Sequence, residues 1–185
     1  VTDGTATRAP KWISGTAGDY MGCGVTDLGQ AYCWGLDDNG QLGNGSGTSA
    51  NQISPSPVAG GYSFTKILSN DSNACGIVAN GDLYCWGLDN LGQLGNGATS
   101  GVQQSPFIVS GGYKWSTFSM GNASVCGISV NGDAYCWGDS QSSSLMGDGT
   151  GSSYTSPNPI AGSRKWKDIS VGHNHACAIT VNGEM

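Results

Sequence analysis

The chain has 185 residues, a net charge of −6 and only 11% charged residues, with a pI near 4.4. Its seven Lys and Arg are scattered without a basic run, which excludes a nucleic-acid surface built on clustered cations. No apolar stretch approaches the ~20 residues that cross a bilayer as a helix, and the amino-terminal VTDGTATRAP does not read as a signal peptide. The six Trp and seven Tyr recur at fixed intervals, which marks a folded, turn-rich protein rather than a disordered polar chain.

Along the chain, the first mark is Trp12. Cys23 follows eleven residues later and Cys33 ten beyond it, with Trp34 next and GQLGNG over Gly40–Gly45. Pro55 and Val58 stand nine and six residues before the next aromatic, Phe64. The series then restarts with Phe64, Cys75, Cys85, Trp86, GQLGNG over Gly92–Gly97, Pro106 and Val109. A third copy has Trp115, Cys126, Cys136 and Trp137, a degraded SSLMGDG over Ser143–Gly149, then Pro157 and Ile160. The fourth has Trp166 and Cys177, and the sequence closes inside its hairpin. Steps between first cysteines are 52, 51 and 51 residues. One repeat domain, 1–185, is expected, with units at 12–63, 64–114, 115–165 and 166–185, the last cut.

Each unit reads as strands. KWKDISVG (Lys165–Gly172) alternates loosely between turn residues, and SPFIV (Ser105–Val109) reads as a short edge strand flanked by proline. CGIVANGDLYCWG (Cys75–Gly87) reads as a hairpin. If Cys75 lies opposite Cys85, Ala79-Asn80-Gly81 forms a three-residue loop, a type I turn closed by Gly81 in the left-handed region. The other copies centre on Leu28, Asn131 and Asn182, each with glycine next. In this register paired cysteines face each other at disulfide distance. The expected bonds are Cys23–Cys33, Cys75–Cys85 and Cys126–Cys136, with Cys177 unpaired in this sequence. Buried free thiols and a zinc site are the alternatives; identical opposed spacing argues against the first and the lack of closer ligand pairs against the second. Disulfides place the protein in an oxidising compartment, hence extracellular or at the cell surface. Strand alternation puts Tyr84 and Trp86 on one face, as an aromatic ledge, and Cys85 on the other.

An aromatic, then CxI…G…YCWG, then GQLGNG resembles the regulator of chromosome condensation repeat family, in a secreted, disulfide-containing form. The resemblance covers the chain from Trp12 onward. It implies an all-β fold of propeller blades of about 51 residues, here three complete and part of a fourth from a seven-bladed ring. Seven such blades need roughly 360 residues. The expectation is therefore a section of a longer chain, or an arc that a second arc completes.

His173 and His175 share a strand face in this reading and are assigned a structural role. LDDNG (Leu36–Gly40) and LDNLG (Leu88–Gly92) lack full calcium-loop spacing and read as turns. No nucleophile–base pair, phosphate loop or metal cluster emerges, so an enzyme, a cofactor and a metal are not expected. Asn44, Asn70 and Asn122 open Asn-x-Ser/Thr sequons, candidate N-glycosylation sites in a secreted chain. The leading reading is an extracellular structural or protein-binding module, a component of a cell-surface or fibrous assembly. A secreted inhibitor or receptor-like binder is the alternative, and an intracellular nucleotide exchange factor ranks third. Ser46–Ser54 and Gln141–Ser144 vary between copies and are the expected partner loops. Protein partners, self-association and glycans are expected; nucleic acid and membrane insertion are not.

Overall fold

The computed structural model describes residues 9–47, 50–140 and 144–185. Three four-stranded antiparallel sheets follow one another. The first holds β1 (Trp12–Ala17), β2 (Met21–Thr26), β3 (Ala31–Gly35) and β4 (Gln52–Pro57). The second holds β5 (Phe64–Ser69), β6 (Asn73–Val78), β7 (Leu83–Asp89) and β8 (Gly101–Ile108). The third holds β9 (Trp115–Met120), β10 (Ser124–Ser129), β11 (Ala134–Gly138) and β12 (Tyr154–Pro159). A two-stranded sheet, β13 (Trp166–Val171) and β14 (Ala176–Thr180), comes last. Sheet order follows chain order. First strands lie against the sheet before them, β5 on β1 and β2, and β13 on β9 and β10. These are the blades of an all-β propeller, first strands inside and fourth strands at the rim. The rim strands carry Pro55, Pro57, Pro106, Pro157 and Pro159, which blunt exposed sheet edges. β8 is longer than the Ser105–Val109 segment expected, because Gly101–Gln103 also pair with β7.

The hairpin turn follows from local chemistry. Gly81 N–H donates to Val78 O at 2.8 Å and Val78 N–H to Asp82 O at 2.9 Å. Gly81 has φ +85°, a conformation that favours glycine. Cys75 then pairs with Cys85, Cys23 with Cys33 and Cys126 with Cys136. Each pair is disulfide-bonded, with Cα atoms 4.1 Å apart. Cys177 is free and exposed.

Every blade therefore has two unlike faces. One carries the disulfide; the other carries the lead aromatic and the Tyr and Trp of the third strand. The disulfide face of one blade packs on the aromatic face of the next. Cys23, Val25, Cys33 and Leu42 form a core with Phe64, Ala74 and Trp86. Cys75, Cys85 and Leu94 do so with Trp115, Val125 and Trp137. The aromatic face carrying Tyr84 and Trp86 packs against the neighbouring blade, as strand alternation suggests, and Trp86 is not an outward ledge: the indole is fully buried, because the preceding blade's glycine loop covers it. Its Nε1–H donates to Gln41 O at 2.9 Å, and that of Trp137 to Gln93 O at 3.2 Å. The ring lies so close to the loop that a Cβ on Gly43 or Gly95 would stand 2.5 Å from the indole nitrogen. Met146 takes the buried place of Leu42 and Leu94 in the degraded third loop.

Gly95 and Gly112 share a φ of +67°, yet a Cβ meets Trp137 at the first and nothing within 4 Å at the second. Gly112→Ala is expected to cost the backbone strain alone, about 1–2 kcal/mol. Gly95→Ala adds overpacking of about 1–3 kcal/mol. Urea midpoints of the two variants, compared with the parent, read the difference.

Candidate functional site

The topology sorts the connections onto two rims. Loops β1–β2 and β3–β4, with their counterparts in later blades, emerge at one rim; the hairpins β2–β3 and the inter-blade links emerge at the other. On the hairpin rim charges are matched. Lys114 meets Asp82 at 2.7 Å, Lys165 meets Asp133 at 2.7 Å and Arg164 meets Glu184 at 3.5 Å. All three pairs are partly exposed and contribute little stability. The loop rim carries Asp19, Asp37, Asp38, Asp71, Asp89, Asp139 and Asp148, and no Lys or Arg among the described residues.

Two of these carboxylates are consumed by their own loops. Asp37 is 1% exposed and Asp89 is 0% exposed. Asp37 accepts from Leu42 N–H at 3.1 Å and Asn44 Nδ2 at 3.3 Å; Asp89 accepts from Leu94 N–H at 3.1 Å and Asn96 Nδ2 at 2.9 Å. The LDDNG and LDNLG motifs are thus turn frames, holding the loop that buries the next tryptophan. Burial pushes the Asp37 carboxyl above the usual value of 3.8, against the hydrogen bonds from Leu42 and Asn44. In the third blade Ser140 occupies the buried position and donates to Gly151 O. Asp148 is held below the usual range, chiefly by the hydrogen bond from Tyr154 and next by Thr150 N–H.

Three others are open to solvent to different degrees. Asp19 and Asp38 are exposed and Asp71 is half-buried. Asp19 N–H donates to Asp71 Oδ1 at 2.7 Å, so adjacent blades share this acidic edge. Tyr20 is 64% exposed and Leu91 is 42% exposed on the same rim. His173 and His175 also stand here, exposed in the β13–β14 turn; the expectation that they lie on a strand is corrected. Below the rim, Lys66 on β5 donates to Thr117 Oγ1 at 2.8 Å and Phe118 O at 3.0 Å. Burial lowers its pKa, opposed by the nearby charge of Asp168.

The three sequons have different surroundings. Asn70 Nδ2 donates to Gly121 O at 2.8 Å and Asn122 O at 3.2 Å in the next blade, while Oδ1 accepts from Ser72 and Asn73 N–H. Asn44 is tied to Asp37 and Ser46. Asn122 is exposed. Of the variable loops, Thr48, Ser49 and Gln141–Ser143 lie outside the described residues. Sequence reasoning missed the charge segregation and the Asn70 clasp. The first was findable: each Lys or Arg after Thr7 except Lys66 and Lys167 falls just before a lead aromatic.

The chain matches the family model of the regulator of chromosome condensation (RCC1) repeat over residues 29–72, 80–128 and 131–179. It is 27% identical over 197 residues to the E3 ubiquitin-protein ligase HERC2 of Homo sapiens, covering 95% of this chain and 4% of that protein. The Saccharomyces cerevisiae Prp20p structure superposes with a TM-score of 0.79 at 18% identity, over 89% of this chain and 42% of the other. The CRINKLY ectodomain of the Arabidopsis thaliana receptor kinase ACR4 gives a TM-score of 0.60 at 22% identity, over 92% of this chain and 52% of the other. The chain thus spans about half or less of these proteins.

A carboxylate whose folded pKa is raised binds its proton more tightly in the folded state. The stability it contributes is therefore present in acid and lost as pH rises through the folded pKa. Asp37→Asn is expected to remove that acid-side increment. Urea midpoints followed from neutral pH toward pH 4 should show the parent gaining on the variant, and parallel curves would mean that Asp37 carries no such increment.

Proposed function

The chain belongs to the regulator of chromosome condensation repeat family, and we propose that it is an extracellular protein-binding module whose acidic loop rim holds a partner with a basic surface. The observation that carries this reading is the charge segregation: matched pairs on the hairpin rim, carboxylates alone on the loop rim. Opposed fields of this kind steer encounter and select partners. Exposed Tyr20 and Leu91 add apolar contact within the acidic rim, as interfaces commonly do. A binding role is consistent with Prp20p, whose structure is reported with its binding properties to Gsp1p and histones.

An extracellular setting is favoured by the three hairpin disulfides. The same fold serves as the ectodomain of ACR4. We read the chain as a binder rather than an enzyme because its buried carboxylates are spent on loop hydrogen bonds. Among the sequons, Asn122 is the one we assign to glycan attachment, since a sugar on Asn70 Nδ2 would break its clasp on the next blade.

Affinity capture from the cell surface or culture medium tests the reading with two charge-reversed variants. Asp19→Lys with Asp71→Lys is expected to lose the partner at least ten-fold, and salt should release it from the parent. Lys114→Glu with Lys165→Glu should retain it. Equal capture by both would overturn the assignment of the rim. Thiol titration of protein taken from its native compartment checks the location: six oxidised cysteines are expected, and six reduced ones would favour an intracellular role. Glycosidase treatment should remove mass from the parent and none from Asn122→Gln.

A further inference from the structure

Four of the seven tyrosines stand in two couples. Tyr62, in the link between the first and second sheets, lies against Tyr84 of β7. Tyr113, in the next link, lies against Tyr135 of β11. Ring centroids are 4.3 Å apart in both couples, with interplanar angles of 37° and 38°. Aromatic pairs usually keep their centroids about 4.5–7 Å apart, so these rings are in unusually close contact. All four side chains are partly open to solvent. The repeat does not demand a tyrosine in the link: the corresponding residues before Trp12 and Trp166 are Pro10 and Arg164. In the first blade Tyr32, the counterpart of Tyr84 and Tyr135, meets Trp12 edge-on at 5.6 Å instead.

The phenols of each couple also feel one another. Burial, and then the neighbouring Tyr62, raise the Tyr84 phenol above the usual value of 10.0; burial and then Tyr113 do the same to Tyr135. Glycine backs the link rings: a Cβ on Gly60 or Gly111 would collide with Cε2 of Tyr62 or Tyr113. One ortho carbon of each link ring is thus walled by backbone, and Cε1 is left for reaction. We propose that Tyr62–Tyr84 and Tyr113–Tyr135 are dityrosine cross-linking sites, coupled by a haem peroxidase acting with hydrogen peroxide. Each phenol gives one electron to the peroxidase and its proton to solvent. The two phenoxyl radicals then join through a carbon–carbon bond between ortho carbons. Each joined carbon sheds its hydrogen as a proton, and each phenoxyl oxygen takes one up. One hydrogen peroxide accepts the two electrons and two protons and leaves as two water molecules. The new bond ties an inter-blade link to the third strand of the blade it enters. Such a closed loop restrains the unfolded chain, and unlike the disulfides it withstands thiols. The modification is independent of the acidic rim and of its partner.

The test treats the full chain with hydrogen peroxide and a haem peroxidase. A parallel sample receives a photoactivated ruthenium complex with persulfate, a small oxidant that needs no docking. Monomer is then isolated by size exclusion, which sets aside coupling between molecules. The expected monomer shows dityrosine fluorescence, a mass lower by two hydrogen atoms per cross-link, and mapped peptides joining Tyr62 to Tyr84 and Tyr113 to Tyr135. Tyr62→Phe, which keeps the ring, should lose the first cross-link and retain the second; Tyr113→Phe should do the reverse. The double variant should fall to background with both oxidants. Monomer free of dityrosine under both oxidants, or cross-links mapped mainly to Tyr20, Tyr32 or Tyr154, overturns the proposal. Coupling of the two pairs by the ruthenium complex alone overturns the peroxidase as the agent.

Discussion

The whole arrangement rests on one contact, an indole laid over a glycine that belongs to the blade before it. The contact is apolar across the ring and polar at one point, the N–H donated to a loop carbonyl. Buried Trp needs such an acceptor, and the loop needs a residue without Cβ to come so close. Other features serve this pairing. Asp37 and Asp89 frame the loops that bring the carbonyl in. The glycine after each Trp lets the third strand bend away under a neighbouring carbonyl. Leu42, Leu94 and Met146 fill the space beneath.

The contact also gives the arc a direction. Each blade offers a disulfide face forward and an aromatic face backward, so successive blades meet through unlike surfaces. Such head-to-tail interfaces close into rings when the rotation permits. Where a preceding blade covers the aromatic face, the lead aromatics Phe64 and Trp115 are each 3% exposed.

The blade was largely legible in the sequence because its signals are local. The ten-residue spacing of Cys75 and Cys85, with Gly81 one position past the centre, determines a hairpin and its register. Side-chain alternation then separates Trp86 from Cys85 without further information. What Trp86 touches was not legible, because Gln41 lies 45 residues away and its own loop is folded back by the Asp37 carboxylate. The same holds for Asn70: Asn-Asp-Ser reads as a sequon, while its hold on Gly121 depends on blade geometry. The charge segregation of the rims lay between the two cases. It required only knowing which strand ends share a side, and that follows once the strands are counted.

Every disulfide here closes a hairpin within one blade, with a sequence separation of ten. None of the three joins one blade to another. A protein built this way separates two kinds of strength under a pulling load. Blades are free to peel apart in sequence, since only non-covalent contacts and the connecting chain join them. Each stapled hairpin, however, withholds ten residues from extension, roughly 35 Å of chain at the extended length per residue. Across three staples that is on the order of 100 Å of reach that tension alone cannot draw out. A reductant would release it, making the extensibility of the strand a readout of the redox state around it.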